Sequence, residues 1–275
     1  MRKRYQVGRA VATIACIILC GAGSPALAAT ALRIVATDQG FQAPRTVAAG
    51  LRHLVFENHG KEVHEAMLVK LPPGMGADDF VAQVKAGILF PKGALDYSGP
   101  GLTSPGESTE LWLRADPGEY VLICWNHPRS SVQSLTVREA GEADEVPPKE
   151  DVVLQLRDFR FEIRGRLKKG AQVIRVETPG PSMHEADLFR LHDGRTAADV
   201  QRWYKADLAG PAPADALGGV LDSHDIKRVV WLKKTFSPGR YVFHCAMPMS
   251  LDAKSGDNSP THADAGMVAT FEIGE

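Results

Sequence analysis

Laid over itself with a shift of 120 residues, the sequence matches itself without a gap for about fifty positions. Asp38, Phe41, Gly50 and Glu57 fall on Asp158, Phe161, Gly170 and Glu177. His64-Glu65-Ala66, Leu68, Leu71, Gly74, Ala77 and Asp79 fall on His184-Glu185-Ala186, Leu188, Leu191, Gly194, Ala197 and Asp199, and Lys85-Ala86 on Lys205-Ala206. One inserted residue then brings Pro117-Gly118-x-Tyr120-x3-Cys124 onto Pro238-Gly239-x-Tyr241-x3-Cys245. Chance does not give that many identities in one register, so the chain reads as one unit written twice, and its fold must be one that works in tandem. The copies are assigned to residues 30–138 and 152–275. Between them, residues 139–151 are acidic and carry Pro147-Pro148, the composition of an extended, solvated linker.

Ahead of the first copy, Arg2, Lys3 and Arg4 precede an apolar run at 11–22, and Ala26-Leu27-Ala28 follows. That order is a secretory signal, residues 1–29, and implies a periplasmic or secreted protein. A lipid anchor at Cys20 is disfavoured by the bulky Ile18-Leu19 before it. No other segment approaches the length of a membrane-spanning helix, so no stable membrane insertion is expected. Loss of the signal removes four of 32 basic residues and none of 33 acidic ones, leaving a net charge near -5. Without a basic surplus to neutralise phosphates, nucleic acid is not the partner. Two of the four cysteines also leave, and the remaining pair, Cys124 and Cys245, is no disulfide scaffold. A bond between them would need equivalent strand ends of two domains to meet.

Each copy reads mainly as strands, with alternating or β-branched apolar runs bounded by Gly and Pro. The exceptions are 78–86 and 197–206, where apolar residues three and four apart predict one short helix per copy. The fold class is therefore all-β, two tandem Greek-key β-sandwiches. The Pro- and Gly-rich stretches 93–106 and 210–219 read as long surface loops. Trp112 and Trp231, repeated, read as core, and Tyr120 and Tyr241 as corner residues with each hydroxyl tied to backbone. His53, His59, His192 and His224 read as solvated, and Met183, Met247 and Met249 as apolar packing.

Chemistry concentrates near the end of the second copy: Cys245, then His262-Ala-Asp-Ala-Gly-Met267, with His184 upstream. A thiolate, two imidazoles and a thioether form a soft three-plus-one donor set suited to copper in both oxidation states. His262 and Met267, five apart, can straddle one turn that Gly266 allows to bend.

This pattern, Y-x3-C followed by H-x4-M with an upstream His, resembles the cupredoxins, the blue copper proteins of plastocyanin and azurin type. The resemblance covers both copies and implies a Greek-key sandwich with copper at one end. It further implies His184, Cys245, His262 and Met267 as ligands, and single-electron transfer with a redox partner protein. The sixteen residues between Cys245 and His262 exceed the usual ligand loop. The first copy offers a second candidate set, His64, Cys124, His127 and Gln133; Val132 stands at the expected axial place and the Gln133 amide beside it. His244, next to Cys245, resembles the auxiliary copper ligand of nitrite reductases and multicopper oxidases. No H-x-H pair is present, and Phe189 stands where a nitrite reductase would have another His, so no catalytic residue is assigned. The alternatives to electron transfer are a copper carrier or chaperone, and a copper oxidoreductase of nitrite-reductase type.

Overall fold

The computed structural model describes residues 31–127, 131–139, 144–225, 227–253 and 259–275; the expected signal segment lies outside them. The first half builds β1 (Leu32–Thr37), β2 (Gly40–Gln42), β3 (Thr46–Ala48), β4 (Gly50–Asn58), β5 (Met67–Lys70), α1 (Ala77–Lys85), β6 (Leu95–Asp96), β7 (Ser108–Ala115), β8 (Gly118–Ile123) and β9 (Val132–Arg138). The second builds β10 (Val152–Arg157), β11 (Arg160–Arg164), β12 (Gly170–Glu177), β13 (Ala186–Leu191), α2 (Ala197–Lys205), β14 (Ala214–Val220), β15 (Val230–Phe236), β16 (Gly239–His244) and β17 (Val268–Ile273). One face of the first sandwich has the order β2-β1-β4-β7, and the second half repeats it as β11-β10-β12-β15. The opposite face runs β9-β8-β5-β6, extended by β3 at its edge, against β17-β16-β13-β14 in the second half. No described helix is long and apolar enough to cross a membrane.

Burial explains the strand patterns. Strands covered on one side alternate, as in β1, where Leu32 and Ile34 point into the core and Arg33 points out. The central strands β8 and β16 are apolar on both faces because a helix covers the outer one. Tyr120 and Leu122 join the sandwich core, while Val121 and Ile123 pack with Phe80 and Val84 of α1. Val242 of β16 likewise meets Val200 and Trp203 of α2. Helix α2 starts at Thr196, whose N–H and hydroxyl both donate to Asp199, a capping arrangement that fixes its first turn. The corner tyrosines close as expected: Tyr120 donates to the Asp116 carbonyl and Tyr241 to that of Ser237, each at 2.8 Å.

The halves are joined through equivalent parts. β7 pairs antiparallel with β15, Leu111 opposite its counterpart Leu232, which fuses two four-stranded faces into one eight-stranded sheet. Pro100 bridges Val220, its own counterpart at a shift of 120. Pairing of equivalent residues in opposite directions defines a local two-fold axis, the arrangement of an isologous dimer within one chain.

The stretches 93–106 and 210–219 correct the expectation of surface loops. Residues 96–103 are all buried, and 214–220 form β14. The two stretches cross the axis and pair at Pro100–Val220 and Thr103–Leu217. Their glycines serve close approach. A Cβ on Gly99 would stand 2.0 Å from the Ala66 carbonyl oxygen, and one on Gly219 would stand 2.2 Å from that of Ala186. The linker is also less free than its composition suggests, because Asp144 accepts the Leu51 N–H and pairs with Arg114.

Candidate metal centres

Antiparallel pairing brings the candidate ligands of the second half to one end of a sheet. Asp187 at the start of β13 and Val268 at the start of β17 both lie opposite His244, the last residue of β16. His184 just before β13, Cys245 just after β16 and the turn carrying His262 and Met267 therefore meet at that end. His184 Nδ1 lies 3.0 Å from His262 Nδ1, and Cys245 Sγ lies 3.5 Å from the same atom. One donor atom from each of the three lies within 4.8 Å of the others, and all three residues are buried. Met267 is fully buried in the same turn; its N–H donates to the His262 carbonyl, and its carbonyl accepts the Cys245 N–H.

The long segment between Cys245 and His262 leaves this geometry intact. Its base is pinched by bonds from the Met249 N–H to the Pro260 carbonyl and from the His262 N–H to the Met247 carbonyl, both 2.8 Å. The extra residues form an excursion that returns to its starting point, and 254–258 lie outside the described residues.

The first half assembles the same triad from His64, Cys124 and His127, again with donor atoms within 4.8 Å of one another. Cys124 Sγ is 3.5 Å from His127 Nδ1, and the two imidazole rings are 4.5 Å apart. The axial place is corrected by strand register. β8 and β9 pair Ile123 with Val132, as β16 and β17 pair His244 with Val268, so Ser131 is the counterpart of Met267. The Ser131 carbonyl accepts the Cys124 N–H and its N–H donates to the His127 carbonyl, repeating the bonds of Met267. Val132 packs instead on the side of α1. The Gln133 amide donates to the Ala43 carbonyl at 3.0 Å, so it is engaged away from the triad.

Both halves orient the upstream imidazole in the same way. His184 Nε2 is 3.2 Å from Asp158 Oδ1 and His64 Nε2 is 3.4 Å from Asp38 Oδ1, which turns each Nδ1 toward the cysteine. Gly60 and Gly180, also 120 apart, make room for this. A Cβ there would come within 2.4 Å of the Asp38 oxygen or 2.8 Å of the Asp158 oxygen. The Glu of each His-Glu-Ala motif holds the segment beyond the cysteine: Glu65 accepts the Trp125 N–H and Glu185 the Ala246 N–H.

The surroundings suit deprotonated nitrogen donors. Burial lowers the pKa of His64 and His184, and burial together with the neighbouring His184 brings His262 down to about 4. Burial pushes the Cys124 thiol up to about 12 and also raises Cys245 well above its ordinary value, so a cation must replace the proton to hold either sulfur as thiolate. The donor sets fit a soft transition metal. His64 Nδ1 and Ser131 Oγ are buried without a hydrogen-bond partner, and both belong to the first triad or its axial place.

The centres differ in cover. Phe159 sits edge-on over His184 and His262, its ring 6.3 and 5.2 Å from theirs, at a φ of 59° that is costly for an aromatic residue. Gln39 takes its place in the first half. There His127 keeps 24% of its side chain exposed, with Nε2 2.6 Å from Glu62.

His244 joins neither triad. Its Nε2 is bonded to Gln201 and its ring stacks on Tyr204 at 4.7 Å, and among the described residues no group of three metal donors includes it. Cys124 and Cys245 are both free and buried. Of the histidines read as solvated, His59 and His192 are exposed, whereas His53 stacks on Trp112 and the half-buried His224 accepts the Asp96 N–H. Sequence reasoning missed Ser131, Phe159 and Glu62 as parts of the centres; the repeated Asp38/Asp158 pair was visible, though not its task.

No protein-family model matches the sequence, and no curated protein matches it. Among solved structures the chain is similar to the dithionite-reduced auracyanin of Roseiflexus castenholzii, at a TM-score of 0.30 and 19% identity over 40% of this chain and 98% of that one. Auracyanin A, a "blue" copper protein of Chloroflexus aurantiacus, gives 0.28 and 18% over 40% and 100%. The blue copper oxidase of Nitrosomonas europaea gives 0.25 and 12% over 88% and 85%. At these scores the overlaps say nothing about the centres, and the fold rests on the chain's own strand order. Each half is a Greek-key β-sandwich.

Proposed function

We propose that this is an exported copper protein that passes single electrons, with one centre in each half. The observation that carries the reading is the pair of His–Cys–His triads, buried except for an edge of His127, at equivalent ends of two sandwiches. Thiolate with two imidazoles, and a thioether in the second half, is a donor set for copper rather than for magnesium or calcium, which take oxygen ligands. Bound there, copper supplies one-electron chemistry by alternating between Cu(II) and Cu(I).

The protein's own residues do the rest. Asp38 and Asp158 hold His64 and His184 with Nδ1 forward, so little rearrangement is needed when charge changes. Burial of both sulfurs excludes water from them. His127, the most exposed of the ligand candidates, offers an edge at which a redox partner protein can exchange electrons with the first centre.

Cu(II) added to the purified chain is expected to bind at two equivalents and to give intense visible absorption from thiolate-to-copper charge transfer. Cys124→Ser and Cys245→Ser should each remove one equivalent and part of the colour. A colourless complex would replace this reading with that of a copper carrier. Export is checked by sequencing the N-terminus of protein recovered outside the cytoplasm, expected to begin after Ala28 or Ala29.

A further inference from the structure

A cavity of about 170 Å³ lies where the two halves meet, bounded by the segments that follow Cys124 and Cys245. Its wall carries five carboxyl groups, from Glu65, Asp96, Glu185, Asp187 and Asp222, and no Lys, Arg or His. All five residues are more than nine-tenths buried. Four have visible structural tasks. Glu65 and Glu185 hold backbone N–H groups, Asp187 accepts from the Leu102 N–H and the Tyr204 hydroxyl, and Asp96 flanks His224.

Asp222 is held less completely: it is 3% exposed, lines the cavity and shares a hydrogen bond with the Asp96 carboxyl, while no N–H or hydroxyl reaches its Oδ2. Burial raises it to about 7, so the wall favours whatever positive charge reaches it.

The shape of the site selects the kind of cation. Among the described residues, only the two His–Cys–His triads bring three metal donors within 4.8 Å of one another, so these carboxylates do not close on a bare metal ion. The volume instead matches a small organic molecule, since a cavity of about 150 Å³ is enough for a benzene-sized ring. The remaining wall is aromatic and apolar, with Phe90, Trp125, Tyr204 and Met247. Carboxylates beside aromatic rings form a setting that holds ammonium groups. Trp125, Tyr204, Ala246 and Pro248 also line a larger groove of about 960 Å³, which gives the cavity a mouth.

We propose that this cavity binds a small organic ammonium ion, a protonated amine of about ring size, whose N–H groups are received by Asp222 while its apolar body lies among Phe90, Trp125 and Met247. The site is independent of whether the triads hold copper.

Calorimetric titration of the full exported chain with benzylamine, and separately with benzyl alcohol, tests it. The amine, cationic at neutral pH, should bind one to one and at least tenfold more tightly than the neutral alcohol of the same shape. Asp222→Asn should cut amine affinity tenfold or more and leave the alcohol unchanged, with circular dichroism reporting that the variant is folded. The wild-type comparison needs no variant. Binding should persist in the Cys124→Ser/Cys245→Ser chain, which separates this site from the copper reading. Equal affinity for amine and alcohol, no saturable binding, dependence on copper, or displacement of the amine by stoichiometric Mn²⁺ would each overturn the proposal.

Discussion

Ser131 and Met267 stand at one place in two centres that share a His–Cys–His triad, and the difference has measurable consequences. A thioether donor helps to stabilise Cu(II), so Met267→Leu is expected to keep the metal and raise the potential of the second centre, read by redox titration. Loss of all binding would show that the residue is more than an axial donor. Ser131→Met should move the spectrum and potential of the first centre toward those of the second; no change would show that this residue does not face the metal. The triads were legible in the sequence because Cys and His are few and recur at a fixed shift. Ser131 was not. Seven positions separate it from Cys124, against twenty-two between Cys245 and Met267, so counting along the chain cannot equate them. Only the pairing of β8 with β9 and of β16 with β17 does so.

The crossing segments show how an element can be misread. Gly and Pro mark turns when solvent surrounds them, but the same residues are needed where two backbones touch. Sequence alone does not say which applies, because the partner backbone lies in the other half. Gly219→Ala tests the reading. The new Cβ would meet the Ala186 carbonyl oxygen at 2.2 Å, on a backbone with a φ of 140°. The expected cost is about 3 kcal/mol, from backbone strain and overpacking together, measured by urea unfolding. Gly170→Ala is the control, since its φ of 99° is also unfavourable but no atom lies within 4 Å of the added carbon; about 1 kcal/mol is expected there. The two helices, by contrast, were legible nearly to their ends. Their apolar spacing follows from which faces are covered, and each helix fell on the predicted residues within one position.

At the scale of the whole molecule, the local two-fold axis makes each half a template for its own partner. An excised first half, residues 30–138, exposes β7, an unpaired edge with Leu111, the residue on the axis, near its centre. Antiparallel self-pairing about that residue would set Ser108, Thr109 and Glu110 opposite Arg114, Leu113 and Trp112 of the second copy, with no like charges facing one another. Sedimentation of the excised half is expected to show a homodimer; a stable monomer would mean that the crossing segments, and not this edge, hold the halves together. The fusion of two copies has a further effect. In an assembly of identical chains every substitution appears at both seats, and the two must stay alike. Here a mutation strikes one seat and spares the other, so each can be set to its own voltage, and a single polypeptide can carry a built-in downhill step from donor side to acceptor side.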